Sequence, residues 1–297
     1  MKICITGGSG FVGSQLAKSF VDAGHTVLIL DLRSPRDEIA GVDFRKSNLV
    51  DDIPKEEYLS CDAVIHLAGV NIFGRWTEEY KKLILDSRIN TARALIATVK
   101  ESGRGPKVFV SASAVGYYGD GGEAELAESA PNGSDFLATV CRKWEEVART
   151  SETAGMRWVS IRTGIVLGKG GGMLAKLLPI FKWGLGGPMG SGKQWFSWIY
   201  MDDLLNVYKA VTLDDTFSGP VNAVSPNPVR NKELAKAIGN TLKRPAFLPV
   251  PGFLLKLFMG ELGGVVVMSQ KVIPQKLTDN KFSFTAPEIK KALERSL

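Results

Sequence analysis

The sequence is poor in the residues that build metal sites and disulfide frameworks. It has three cysteines (Cys4, Cys61 and Cys141) and two histidines (His25 and His66) in 297 residues. The odd cysteine count and the lack of any C-x-x-C spacing exclude a disulfide scaffold and a zinc ribbon. No metal site is expected. Long apolar runs are missing too. The strongest, Phe253 to Met268, is interrupted by Lys256 and Glu261 and is too short for a membrane span. No membrane partner is expected. The N-terminal Met-Lys-Ile-Cys-Ile-Thr reaches glycines at once and leaves no room for the apolar core of a signal peptide. Basic runs interleaved with aromatics are absent. The formal charge of +6 is scattered, which argues against a nucleic-acid partner. A reduced, cytoplasmic protein is expected.

What is present is ordinary globular composition with an ordered pattern. At 44% apolar and 23% charged residues, the chain can bury a substantial core, as one large domain or as a domain with a smaller cap. Lys2 to Thr6 reads as a buried strand. Val12, Leu16 and Phe20 recur at helical spacing, and Gly24 stops them. Further strands are expected at Thr26–Leu30, Ala63–Leu67, Lys107–Ser111 and Trp158–Thr163. Helices are expected at Thr77–Glu101 and Phe136–Gly155. Such alternation predicts an α/β fold, a doubly wound parallel sheet with helices on both faces. After Thr163 the texture changes. Gly168–Gly172 and Gly184–Gly192 read as flexible loops suited to a substrate cleft. Helices follow at Asp202–Val211 and Asn231–Leu242, with a strand at Pro220–Val224. The expected division is a Rossmann-type domain over 1–166, with 199–224 returning to it. A smaller C-terminal α/β substrate domain would comprise 167–198 and 225–297.

The chemistry is concentrated in Gly7-Gly8-Ser9-Gly10-Phe11-Val12-Gly13, between the first strand and the first helix. Gly7 suits a tight turn, Gly10 a close backbone approach to a pyrophosphate, and Gly13 close helix–strand packing. The free N–H groups around Phe11 and Val12, at the helix N-terminus, suit phosphate. A lone G-x-G-x-x-G is weak evidence. Here an acid, Asp31, ends the second strand, where it can accept hydrogen bonds from a ribose. Asp31 alone favours NAD. Arg33 and Arg36 follow closely and could hold a 2′-phosphate, so NADP is preferred and NAD stays open.

The segments Thr6–Gly13, His66-Leu67-Ala68-Gly69 and Val110-Ser111-Ala112-Ser113 resemble the extended short-chain dehydrogenase/reductases, the NAD-dependent epimerase/dehydratase proteins. Gly116-Tyr117-Tyr118-Gly119, Arg162–Gly168, Gly186–Gly192, Trp195–Ile199 and Gln270–Pro274 are similar to an atypical subgroup called epimerase family proteins. The resemblance runs over essentially the whole chain. It implies an NAD(P) site at the switch point of the sheet and a small-molecule substrate under the C-terminal domain, and it leaves a homodimer open. It further implies that Leu67 and Ala68 line the adenine and ribose side, that Arg88 and Ser111 border the cofactor, and that Ile165 lies near the nicotinamide.

The catalytic pattern departs from that family. Its standard enzymes use Ser/Thr with a Tyr-x-x-x-Lys pair on one helix. Ser113 matches the serine, but Leu137 falls at the tyrosine position and Cys141 at the lysine position. Tyr117 and Tyr118 are the substitute acid candidates, and Cys141 reads more readily as an inert buried thiol. Lys193, Trp195 and Trp198 are candidate substrate residues, the indoles for stacking and the lysine for an acidic group. Three functions stay open: an NADP(H)-dependent oxidoreductase or epimerase-like enzyme, a non-catalytic NAD(P)-sensing regulator, and an NAD-dependent nucleotide-sugar epimerase.

Overall fold

The computed structural model describes all 297 residues. Seven parallel strands form the central sheet: β1 (Lys2–Thr6), β2 (Thr26–Asp31), β3 (Val42–Lys46), β4 (Ala63–His66), β5 (Val108–Ala114), β6 (Arg157–Thr163) and β7 (Gly219–Ala223). Their spatial order is β7-β6-β5-β4-β1-β2-β3. Four helices matter most for the site: α1 (Phe11–Asp22), α2 (Glu78–Ser102), α3 (Phe136–Arg149) and α4 (Met201–Leu213).

The inner strands β1, β2 and β4 are mostly apolar because both faces of the sheet are covered there. Successive side chains point to opposite faces. Ile3 and Ile5 join one core with Val27, Ile29, Leu16 and Phe20 of α1, and Leu204 and Val207 of α4. Cys4, Leu28 and Leu30 join the opposite core with Leu95, Ile96 and Val99 of α2. Each fully buried Leu, Ile or Phe contributes about 1.5–3 kcal/mol.

The helix ends follow local chemistry. Thr77 caps α2 by accepting from the Tyr80 amide at 3.2 Å, and Gly103, at φ 67°, ends it. Asp135 caps α3 by accepting from the Ala138 amide at 3.1 Å. The helix expected over Phe136–Gly155 is α3 followed by a 3-10 turn at Thr150–Ala154, with Gly155 left-handed at φ 74°. Strand β3 is absent from the sequence reading. It is the sheet edge and its residues Val-Asp-Phe-Arg-Lys are half-buried to exposed, so it has no apolar run to announce it.

Outside the sheet, the C-terminal segments form three two-stranded ribbons. They pair Trp198–Tyr200 with Ile165–Leu167, Val229–Arg230 with Trp195–Phe196, and Lys271–Val272 with Glu125–Leu126. Helices Gly172–Lys182, Asn231–Leu242 and Ile289–Ser296 pack around them. Their own core contains Leu174, Phe181, Trp198, Leu234, Ile238 and Leu293. Gly168–Gly172 is a largely exposed turn, as a loop reading has it, with Gly168 and Gly171 packed inward. A Cβ at Gly171 would lie 2.2 Å from the Phe11 ring and one at Gly172 3.2 Å from it.

Candidate functional site: a nucleotide crevice and a closed polar corner

Strand order reverses direction between β1 and β4. In open α/β sheets a ligand crevice forms outside the carboxyl ends of the strands at such a point. The residues leaving β1 and β4 meet there. Gly7 has φ +69°, its amide donates to the Leu30 carbonyl at 3.0 Å, and a Cβ on it would lie 2.8 Å from the Ala68 nitrogen. A Cβ at Gly13 would lie 2.5 Å from the Gly7 carbonyl oxygen and 2.7 Å from the Gly8 Cα. Both contacts are backbone against backbone, so these two positions require glycine. Gly10 meets only the Gly7 oxygen, at 3.2 Å, and its own side lies open. It starts α1 with no side-chain cap. The first amides of the helix, around Phe11 and Val12, therefore remain for an external acceptor.

Asp31 stands half-buried at the end of β2. Its carboxylate accepts from the Ser9 amide at 3.1 Å and the Arg33 amide at 3.4 Å. That pins the glycine loop against β2 and leaves acceptor capacity for a hydroxyl pair. Arg33 and Arg36 are exposed and neither takes part in any of the ion pairs of the molecule. Leu67 and Ala68 are half-buried at the crevice floor and pack on the two cores of the sheet, one on each face.

Deeper in, His66 is fully buried between Thr6 at 2.7 Å and Thr91 at 3.2 Å. Burial pushes its pKa down to about 4. It is a neutral ring tying β1 to α2. One turn away, Arg88 donates to the Ile84 carbonyl at 2.8 Å and lies 5.0 Å over the Trp144 ring. A Cβ at Gly69 would touch its guanidinium at 3.0 Å, which places Arg88 beside the chain leaving β4. It has no carboxylate partner, and burial works against its charged form.

The corner expected to carry proton transfer is a closed network. The Ser113 hydroxyl donates to Glu145 Oε1 at 2.7 Å. Arg162 grips the same carboxylate with two bonds, Nε to Oε1 at 2.9 Å and Nη2 to Oε2 at 2.8 Å. Its Nη1 donates to the Tyr118 hydroxyl at 2.9 Å and the Glu128 carbonyl at 3.0 Å. Tyr118 donates onward to Asn222 Oδ1 at 2.6 Å. Ser113, Tyr118, Glu145, Arg162 and Asn222 are all buried. The Tyr118 phenol is pushed up to about 12 by burial. With both hydroxyl functions engaged, Tyr118 is not free to shuttle a proton, which corrects the expectation of an acid there. Tyr117 is half-buried, its ring covered by the Arg162 guanidinium at 3.5 Å. Its hydroxyl has no protein partner. Leu137 and Cys141 are buried in the same corner, and a Cβ at Gly116 would face both. Burial pushes the Cys141 thiol up to about 12, so it is an inert packing group at neutral pH.

The remaining expected site residues are placed less favourably. Ser111 is fully buried within β5, and Ile165 is half-buried in its ribbon, packed against the C-terminal core. Trp198 is fully buried, with its indole N–H donating to the Asn227 carbonyl at 3.1 Å. It is core and offers no stacking face, which corrects its reading as a substrate residue. Trp195 is clamped at the surface. It donates to Glu123 at 3.0 Å, Arg230 lies 4.0 Å over its ring, and Arg230 also grips Glu123 with two bonds of 2.7 Å. Lys193 is exposed beside it. A cleft of about 410 Å³ is lined by Trp76, Asp120, Asp135 and Phe136 and by Lys256, Glu261, Gly264, Val265, Val267 and Met268. The sequence reading missed Glu145, Arg162 and Asn222. A charged residue inside the apolar strand Trp158–Thr163 was the one available signal.

The site therefore belongs to a dinucleotide-binding α/β protein. The chain is a member of the NAD dependent epimerase/dehydratase family, whose model matches residues 3–221. A second model, described as a domain of unknown function (DUF1731), matches residues 250–296. The chain is 39% identical to the Arabidopsis thaliana "Epimerase family protein SDR39U1 homolog, chloroplastic", over 99% of this chain and 86% of that protein. It is 36% identical to Bacillus subtilis "Epimerase family protein YfhF", over 99% and 97%. The crystal structure of human epimerase family protein SDR39U1 with NADPH superposes with a TM-score of 0.85 at 31% identity, covering 99% of this chain and 98% of that one. The Thermus thermophilus UDP-glucose 4-epimerase structure, at 20% identity and a TM-score of 0.78, shares the fold.

The crevice residues fit a dinucleotide. Backbone at Gly7 and Gly13 leaves no room for any other residue, Gly10 keeps the helix mouth open, and two unpaired arginines stand beyond Asp31.

Proposed function

We propose that the chain is an NADP(H)-dependent oxidoreductase or epimerase-like enzyme acting on a small carbonyl or sugar-like substrate in the cleft between Trp76 and Lys256. The pairing of the uncapped, glycine-built α1 N-terminus with the unpaired Arg33 and Arg36 carries the reading. The NADPH bound by the human relative supports it. When bound, a nicotinamide supplies hydride chemistry.

The amides around Gly10, Phe11, Val12 and Gly13 hold the pyrophosphate, Asp31 accepts from the adenosine ribose, and Arg33 grips the 2′-phosphate with its planar fork. Arg88, desolvated and without a carboxylate, supplies the positive charge that Cys141 cannot. Tyr117, with its free hydroxyl, is the proton donor, and Ser113 and Ile165 border the nicotinamide end. Lys193 and Trp195 mark the outer rim on the substrate side. On this reading residues 1–166 with 199–224 bind the cofactor, and 167–198 with 225–297 hold the substrate.

Leu137 and Cys141 at the usual proton-transfer positions favour a second reading, a cofactor-binding regulator without turnover. A fluorescence titration with NADPH and NADH, followed by a carbonyl panel, separates the two. Saturable NADPH binding with hydride consumption supports the enzyme. Binding without consumption across the panel supports the regulator, and no binding of either nucleotide overturns both. Tyr117→Phe should keep cofactor affinity and lose turnover; unchanged turnover would remove Tyr117 from the chemistry.

A further inference from the structure

The apolar stretch near the C-terminus has no role in the nucleotide crevice. It folds into two short helices, Gly252–Met259 and Glu261–Val266, separated by Gly260 at φ 61°. The first helix buries none of its side chains. Phe253 is 68% exposed, Leu257 73% and Phe258 81%. Beside it runs a second exposed apolar segment. The Leu248 amide donates to the Gly186 carbonyl at 3.3 Å, the Val250 amide to the Pro188 carbonyl at 2.9 Å, and Pro245 lies against Gly184. Those strands of chain carry Trp183, 83% exposed, and Phe247, 72% exposed. Monomeric proteins rarely leave so many large apolar groups on adjoining segments without a use for them.

The charges on the stretches of chain that carry these side chains say what kind of partner fits. Residues 169–201 and 234–260 contain Lys169, Lys176, Lys182, Lys193, Lys236, Lys243, Arg244 and Lys256, and no aspartate or glutamate. All eight cations are exposed and none enters an ion pair. Elsewhere the exposed surface mixes both signs, as in the pairs of Lys18 with Asp22 and Arg142 with Glu146. Unpaired cations next to exposed aromatic rings match an anionic bilayer, with acids from other segments bordering the patch at Glu123, near Lys193, and at Asp120, Asp135 and Glu261, around Lys256. The rings enter the acyl boundary, and long lysine stems carry their charges back to the headgroups. A second copy of the same surface would set these cations against one another.

We propose that this surface, built from Trp183, Phe247 and the helix Gly252–Met259, docks the protein peripherally on an anionic lipid bilayer. No helix is long and apolar enough to cross one. The attachment is therefore shallow and reversible by salt. The absence of a span does not bear on this mode of attachment.

The test is co-sedimentation of the full chain with phosphatidylcholine vesicles, with and without phosphatidylglycerol, at low and high salt. Binding to the anionic vesicles alone, reversed at high salt, is the expected result. The double variant Phe253→Ser/Phe258→Ser should lose most of it while keeping thermal stability and NADPH binding. Lys243→Glu/Arg244→Glu should weaken it by about fivefold or more for each charge removed. Brominated lipids should quench tryptophan fluorescence in the wild type and much less in Trp183→Phe. No sedimentation with anionic vesicles overturns the proposal, and so does equal binding to neutral ones. A concentration-dependent dimer in lipid-free sedimentation velocity, abolished by Phe253→Ser/Phe258→Ser, would replace the bilayer with a second copy.

Discussion

The two ends of the nucleotide crevice are built on opposite principles. The phosphate end is open backbone: close packing at Gly7 and Gly13 and the uncapped Gly10 leave the first amides of α1 free, and the Arg33 and Arg36 side chains enter no ion pair. The opposite corner is closed. Ser113, Glu145, Arg162, Tyr118 and Asn222 satisfy one another, and Leu137 and Cys141 fill the rest. Preorganised vacancy at one end and saturation at the other separate holding a cofactor from moving a proton. A sequence can keep the first and rebuild the second as a structural core.

The largest expected effect breaks the closed corner. Arg162→Met leaves Glu145 buried without its counter-ion and should cost about 3–5 kcal/mol of stability. If the corner is structural, chemical denaturation will show that loss while the surviving native fraction keeps its NADPH affinity. A matching loss of affinity would join the two ends that the comparison keeps apart.

His66 gives an effect of similar size through pH. Its folded pKa of about 4 lies below the ordinary 6.5, so the unfolded chain binds the extra proton between those values. This contribution to stability is present above about pH 6.5 and falls away by roughly 3 kcal/mol as pH drops toward 4. His66→Asn should flatten the midpoint-against-pH curve over that window. An unchanged curve would show that the ring is not held neutral.

At the open end, Gly13→Ala drives a Cβ into the Gly7 and Gly8 backbone and should weaken NADPH by about a hundredfold, some 2.7 kcal/mol. Isothermal titration measures it, and an affinity within a few-fold of wild type would mean that the loop gives way more easily than its geometry allows. Arg33→Ala is the smallest change. It should weaken NADPH about tenfold, the loss of one charge-assisted pair, and leave NADH nearly untouched. Equal losses for both nucleotides would move the 2′-phosphate elsewhere.

The same contrast explains what could be read in the sequence. Strands β1, β2 and β4 and the start of β5 are apolar runs, and the glycine loop is contiguous, because its function uses backbone. Both are local and legible. Strand β3 alternates polar residues at an open edge and carries no such signal. The closed corner was illegible because its members come from β5, α3, β6, β7 and the Tyr117–Tyr118 turn, with a bond as long-range as that of Tyr118 to Asn222. Side chains alone join them, and spacing along the chain does not report that. Trp198 misled because a tryptophan beside glycines looks the same whether it packs inward or stacks on a ligand.

One contact crosses between the two halves at the mouth of the crevice. Gly168, Gly171 and Gly172 rest on the Phe11 ring, one residue inside the helix whose amides face the phosphates. The glycines lead directly into helix Gly172–Lys182 and on to the exposed Trp183. The Phe11 ring is thus a shared wall: one side chain borders both the helix that starts at the phosphate end and the glycine segment of the other half.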